Sequence, residues 1–131
     1  MLKKILYTGL VFVFGTSIAF SDTNEERFAK EMEKYKQTGE FQNCIINSQI
    51  RRTRVLDDIH IIFEMNGNKA YLNTLDNKCP NLGFERSIKY TSRGNQLCST
   101  DVISVLRPHD TGASCFLGKF EILEKLPRKD D

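Results

Sequence analysis

All four cysteines of this chain, Cys44, Cys79, Cys98 and Cys115, stand behind a segment with the three parts of a cleavable export signal. Lys3 and Lys4 supply a positive start, and Ile5 to Phe14 form an apolar run broken only by Thr8 and Gly9. Ala19-Phe20-Ser21 gives a small-x-small site before Asp22. The apolar run is too short for a comfortable membrane span, so no transmembrane segment is expected after cleavage. An even number of cysteines in a small exported chain predicts a disulfide framework. The sequence therefore places the mature protein in the periplasm or outside the cell and gives it a covalent frame. The cleavage site contains no cysteine, so no lipid can be attached there.

Cleavage after Ser21 would leave 110 residues (131 less 21), enough for one domain and not two. It also removes the chain's excess charge. Of the 19 Lys and Arg residues, Lys3 and Lys4 belong to the leader, which leaves 17 basic residues against 17 acidic ones. A nucleic-acid surface needs an excess of Lys and Arg to displace counterions, so no nucleic-acid partner is expected.

Residues 22–38 are highly charged and predict one helix, closed by Gly39, within an N-terminal segment spanning 22–40. Thr23-Asn24-Glu25-Glu26 fits a capping box. Phe28, Met32 and Tyr35 follow at helical spacing and make a narrow apolar stripe, as a helix laid over one face of a domain would show. Residues 41–125 change to strand and turn patterns, and 126–131 form a polar tail. Ile50 to Leu56 is a candidate strand, turned by Asp57-Asp58. Ile59 to Met65 is rich in β-branched and aromatic residues, Asn66-Gly67 is a hairpin turn signal, and Lys69 to Leu75 returns as the partner strand. Asn81 to Phe84 reads as a turn into a strand over 84–91. Further strands are predicted at 96–98, 101–106 and 115–123. This spacing predicts a mainly β fold, a small barrel or rolled antiparallel sheet with one N-terminal helix and two disulfides.

Four cysteines allow three pairings. The favoured one joins Cys79–Cys98, bracing the excursion between them, and Cys44–Cys115, tying the first strand to the last as barrel closure requires. The runner-up is Cys44–Cys79 with Cys98–Cys115. A metal site using His60 and His109 beside the thiols fails on spacing, because no Cys-x-x-Cys pair exists. No metal or other cofactor is expected.

Two clusters could carry chemistry. His60 and Glu64 share a strand parity and could act as base and acid. The plainer reading makes them the solvent face of the hairpin, with Ile59, Ile61, Phe63 and Met65 in the core. Arg51, Arg52 and Arg54 could clamp a carboxylate or phosphate, together with the loop Arg107 to Asp110. Structurally, they would pair with acids on neighbouring strands, such as Glu64, Glu85 or Asp101. No Gly-x-Ser-x-Gly elbow and no phosphate-cradling glycine loop is present.

A set of motifs runs through this region. It comprises Cys44-Ile45, Ile50 to Asp58, Ile61 to Met65, Gly67, Ala70 to Asn73 and Leu75. It continues with Cys79-Pro80, Leu82 to Arg86, Gln96 to Ser99 and Cys115-x-Leu117-Gly118-x-Phe120. The pattern, over residues 44–123, resembles a family of small exported proteobacterial proteins known as a domain of unknown function. That resemblance implies export, one compact domain and cysteines that are family features. It carries no activity, substrate or catalytic residue. Many members look like lipoproteins, and this chain lacks their lipidated cysteine. The expectation is therefore a periplasmic binding or envelope-accessory protein, not an enzyme, whose partner is an envelope protein or a small anionic ligand. The alternative is a small secreted hydrolase, a ribonuclease-like phosphodiesterase, working through His60, Glu64 and an arginine.

Overall fold

The computed structural model describes residues 23–92 and 94–127. The leader assigned to 1–21 and the end of the polar tail lie outside the described residues. Among those described, one helix, α1 (Asn24–Met32), opens the chain. Thr23 caps it, accepting a 3.1 Å hydrogen bond from the Glu26 N–H on its hydroxyl. The helix stops at Met32 rather than reaching Gly39. Residues Tyr35–Gln42 are instead a strand, β1, followed by β2 (Cys44–Ile46). Tyr35 does complete the apolar stripe with Phe28 and Met32. It joins their core from the start of a strand, because all three reach the same cluster around Ile62 and Leu72.

Eight more strands follow: β3 (Ile50–Val55), β4 (His60–Met65), β5 (Lys69–Thr74), β6 (Ile88–Tyr90), β7 (Gln96–Cys98), β8 (Val102–Leu106), β9 (Thr111–Phe116) and β10 (Phe120–Lys125). The hairpin expected from Asn66-Gly67 is β4–β5, with Gly67 at φ +78°, a conformation that costs glycine least. Leu82–Glu85 forms a short helical turn, so β6 is only three residues long.

The fold is mainly β but not a barrel. Its central sheet is antiparallel in the order β1-β10-β5-β4-β3, and β1 and β3 remain edges. Two smaller sheets, β2-β7 and β6-β8-β9, cover one face of it. There Ile61, Phe63 and Met65 of β4 meet Ile45, Leu97, Ile103, Val105 and Phe120 in a large apolar core. The other face lies under α1 and holds the smaller core of Tyr35, Leu56, Ile62, Ala70, Leu72 and Leu123.

The disulfides are Cys44–Cys98 and Cys79–Cys115, neither the favoured pairing nor its runner-up. Cys44 and Cys98 face each other directly across β2 and β7. Cys79 lies on the loop after β5 and reaches Cys115 on β9 beneath the large core. The expected closure of the first strand onto the last is made by the β1–β10 ladder instead, with no covalent bond. Loop lengths could not have separated the pairings. Bonds closing 54 and 36 residues each contribute about 4 kcal/mol in the chain-entropy picture, nearly the same total as the pairing expected.

Candidate functional site

Glu64 sits in the middle of β4, on the face that α1 covers. Its side chain is only 4 % exposed, and Ile62 beside it is fully buried. This face is therefore not the solvent side of the hairpin. A carboxylate placed there must be paired, and three arginines of β3 pair with it. Arg52 donates from Nε (3.0 Å) and from Nη2 (3.4 Å), Arg51 from Nη2 (3.2 Å) and Arg54 from Nη1 (3.3 Å). Arg54 also bonds Glu31 of α1 through its other terminal nitrogen, so it ties helix to sheet.

Successive side chains on a strand point to opposite faces, so Arg51 and Arg52 should not meet the same acid. A register shift between Ile50 and Arg52 resolves this. Two residues of β3 oppose one step of β4, which is a bulge and turns Arg51 toward the Glu64 side. Arg52 and Arg54 reach it by simple cross-strand register, opposite Glu64 and Ile62.

Burial alone would raise the Glu64 carboxyl. The hydrogen bonds from Arg52, Arg51 and Arg54, with the charge of Arg52, outweigh it and hold the group below the ordinary carboxylate range. Tyr35 is pushed up chiefly by burial and then by the Glu64 charge. Three guanidiniums share Glu64, and among the described residues only Arg54 of the three meets a second acid, Glu31, which Lys34 also pairs, so cations outnumber carboxylates in this cluster. Arg51 and Arg52, with side chains 51 % and 62 % exposed, present that excess to solvent. Among the described residues, each has N–H donors beyond those bound to Glu64, and this one buried acceptor anchors both. This arrangement can hold an oxyanion from outside through charge-assisted hydrogen bonds.

His60 belongs to a different group. Its Nδ1 pairs with Asp57 at 2.8 Å and its ring stacks on Phe28 at 4.0 Å between centroids. Four residues apart on β4, His60 and Glu64 are separated along the strand by about 13 Å. Ile62 fills the space between them. Of the other acids considered, Asp101 accepts the Cys98 N–H. Arg107 pairs with Asp110 and, with Glu85, lines a separate hollow instead of joining the strand arginines. Sequence reasoning found the three arginines and Glu64 but missed Glu31 and Tyr35, which reach the cluster from α1 and β1. Only the crowding of three arginines into four positions hinted that a buried acid was required.

Among the described residues, no helix is long and apolar enough to cross a membrane, and no group of His, Cys, Asp or Glu side chains is arranged to hold a metal ion. No curated protein and no solved structure matches the chain. A family match spans residues 2–125, which contain both disulfides and the whole arginine cluster, and the chain thus belongs to the family of unknown function DUF6491.

Proposed function

We propose that this is an exported, non-enzymatic binding or envelope-accessory protein that holds an anionic group at Arg51 and Arg52. The observation that carries this reading is the β3 bulge, which sets two neighbouring arginines on one buried carboxylate and leaves both half in water. Preorganised guanidiniums lose little freedom when an anion arrives, and that favours binding. The anion is a small ligand or an acidic group on an envelope protein. Export is supported by the leader motif and by two disulfides, which persist in oxidising compartments. A mature N-terminus at Asp22 is the corresponding expectation. The hydrolase reading is not carried forward, because His60 and Glu64 are engaged in separate contacts and Glu64 is held in its ionised form.

The test is titration of the purified protein with inorganic phosphate and with a short poly-glutamate peptide, followed by arginine side-chain NMR. Saturable shifts at Arg51 and Arg52 are expected, abolished in Arg51→Gln/Arg52→Gln. The variant leaves buried Glu64 with Arg54 alone, so it should melt below the wild type, and its binding is read at a temperature where it remains folded. Binding that survives in the folded double variant, or no saturable shift in the wild type, would reassign the arginines to a purely structural role.

A further inference from the structure

We infer that Phe84 is the stacking platform of a shallow saccharide-binding groove, separate from the arginine cluster. Phe84 is 81 % exposed, more than any other large apolar side chain described. Its display is rigid. The helical turn that carries it is bracketed by two non-glycine residues in left-handed conformation, Asn81 (φ 64°) and Arg86 (φ 61°). Such positions cost energy and persist only where their surroundings impose them. Leu82 is fully buried, the Gly83 N–H donates to Asp58 at 2.7 Å, and Cys79 is pinned to β9. A Cβ on Gly83 would stand 3.0 Å from the Asp57 backbone, so the turn is seated without slack.

The ring and Asn81 form the shared wall of two shallow hollows of about 340 and 610 Å³. Both fall within the usual range of roughly 300 to 1,000 Å³ for small-molecule sites. Planar polar side chains line each side, with Glu85 and His109 in one hollow and Asn24 and Arg86 in the other. Across both, three arginines (27, 86 and 107) face three acids (58, 85 and 110), so the groove has no net charge. This balance disfavours a charged ligand.

The apolar content decides between the remaining classes. A protein interface needs an apolar core of several residues within roughly 1,200 Å² or more of buried surface. Here one aromatic ring stands in a polar, charge-balanced setting. A sugar fits that chemistry. Its C–H face stacks on the electron-rich face of an aromatic ring, and its hydroxyls accept hydrogen bonds from amide and guanidinium N–H groups and donate to carboxylate and amide oxygens. With a hollow on either side of the ring, the ligand is a linear neutral oligosaccharide that straddles Phe84.

Titration of the disulfide-bonded protein with chitotetraose, cellotetraose and maltotetraose, by calorimetry and backbone NMR, tests this assignment. At least one should saturate, with shifts confined to Asn81, Phe84, Arg86 and His109. Phe84→Ala should weaken that binding about tenfold, the size of one lost stacking contact. Phe116→Ala, which removes a second exposed aromatic on β9, should bind as the wild type does. The proposal is overturned if none of the three sugars saturates, if the shifts map elsewhere, or if Phe84→Ala binds normally. Shifts at Phe84 that grow with protein concentration alone would assign the ring to a contact between copies and overturn it as well.

Discussion

The two faces of the central sheet are held by different forces. Under the small sheets, Phe63 packs edge-to-face on Phe120 and Tyr90 among fully buried aliphatic side chains, and the attraction needs no partner charges. Under α1, Ile62 and Leu72 share their face with Glu64, Arg52 and Arg54, and the helix above buries no residue completely. The first face depends on apolar area and shape. The second depends on an ion cluster that closes over a thin apolar core, which makes it sensitive to pH. Strand parity sets the difference, since alternate residues of β4 go to opposite faces.

Breaking the apolar face should have the largest effect. Phe63→Ala removes a fully buried ring and should cost about 3 to 5 kcal/mol, with no dependence on pH. Chemical denaturation at two pH values checks this. A pH-dependent loss would show that the two faces are more strongly coupled than their separate clusters indicate.

Glu64→Gln should cost less, about 1 to 3 kcal/mol at neutral pH, because it removes a charged acceptor shared by three donors. Its signature is in the pH profile. The folded state keeps Glu64 ionised below the pH at which an unfolded chain protonates it. As pH falls, the unfolded chain therefore takes up this proton first. The stabilisation is complete above the ordinary glutamate range and fades as pH drops through that range toward the lower folded value. Melting temperatures measured from neutral to acidic pH should show this decline in the wild type and a flatter profile in the variant. Parallel profiles would remove Glu64 from the account.

The smallest effect is expected at the end of the helix. Thr23→Ala deletes the α1 cap and should cost about 1 kcal/mol. Hydrogen exchange should quicken in α1 while β4 and β5 keep their protection, which would make the helix a separate unit of local opening. Uniform quickening would mean that both faces open together.

Much of this architecture was legible in the residues. The β4–β5 hairpin follows from β-branched runs around Asn66-Gly67, and the helix start from Thr23 and Glu26. Strand β1 was not legible. As an edge it buries only Tyr35, so it shows no alternating pattern, and Tyr35 happens to continue the spacing of the helical stripe. The disulfide pairing was hidden for a related reason. Without β1 closing onto β10, Cys44 looked like the start of the first strand and Cys115 like its closing partner. At the candidate site, pairing of the strand arginines with Glu64 was among the pairings expected, but the sharing of one buried carboxylate by neighbours Arg51 and Arg52 was not, because a bulge carries no composition signal when the inserted residue is another arginine.

Local chemistry alone determined that the chain would be mainly β, opened by a capped helix and cross-linked by its cysteines. Turn propensity, β-branching and hydrogen-bond capping act over a few residues and are written in order along the sequence. Tertiary structure decided which cysteines meet, which face of β4 is roofed by the helix, and that Arg51 and Arg52 share one carboxylate. Those outcomes depend on strand register and on contacts between residues far apart in sequence. A shift of one residue in β3 was enough to move Arg51 from one side of the sheet to the other.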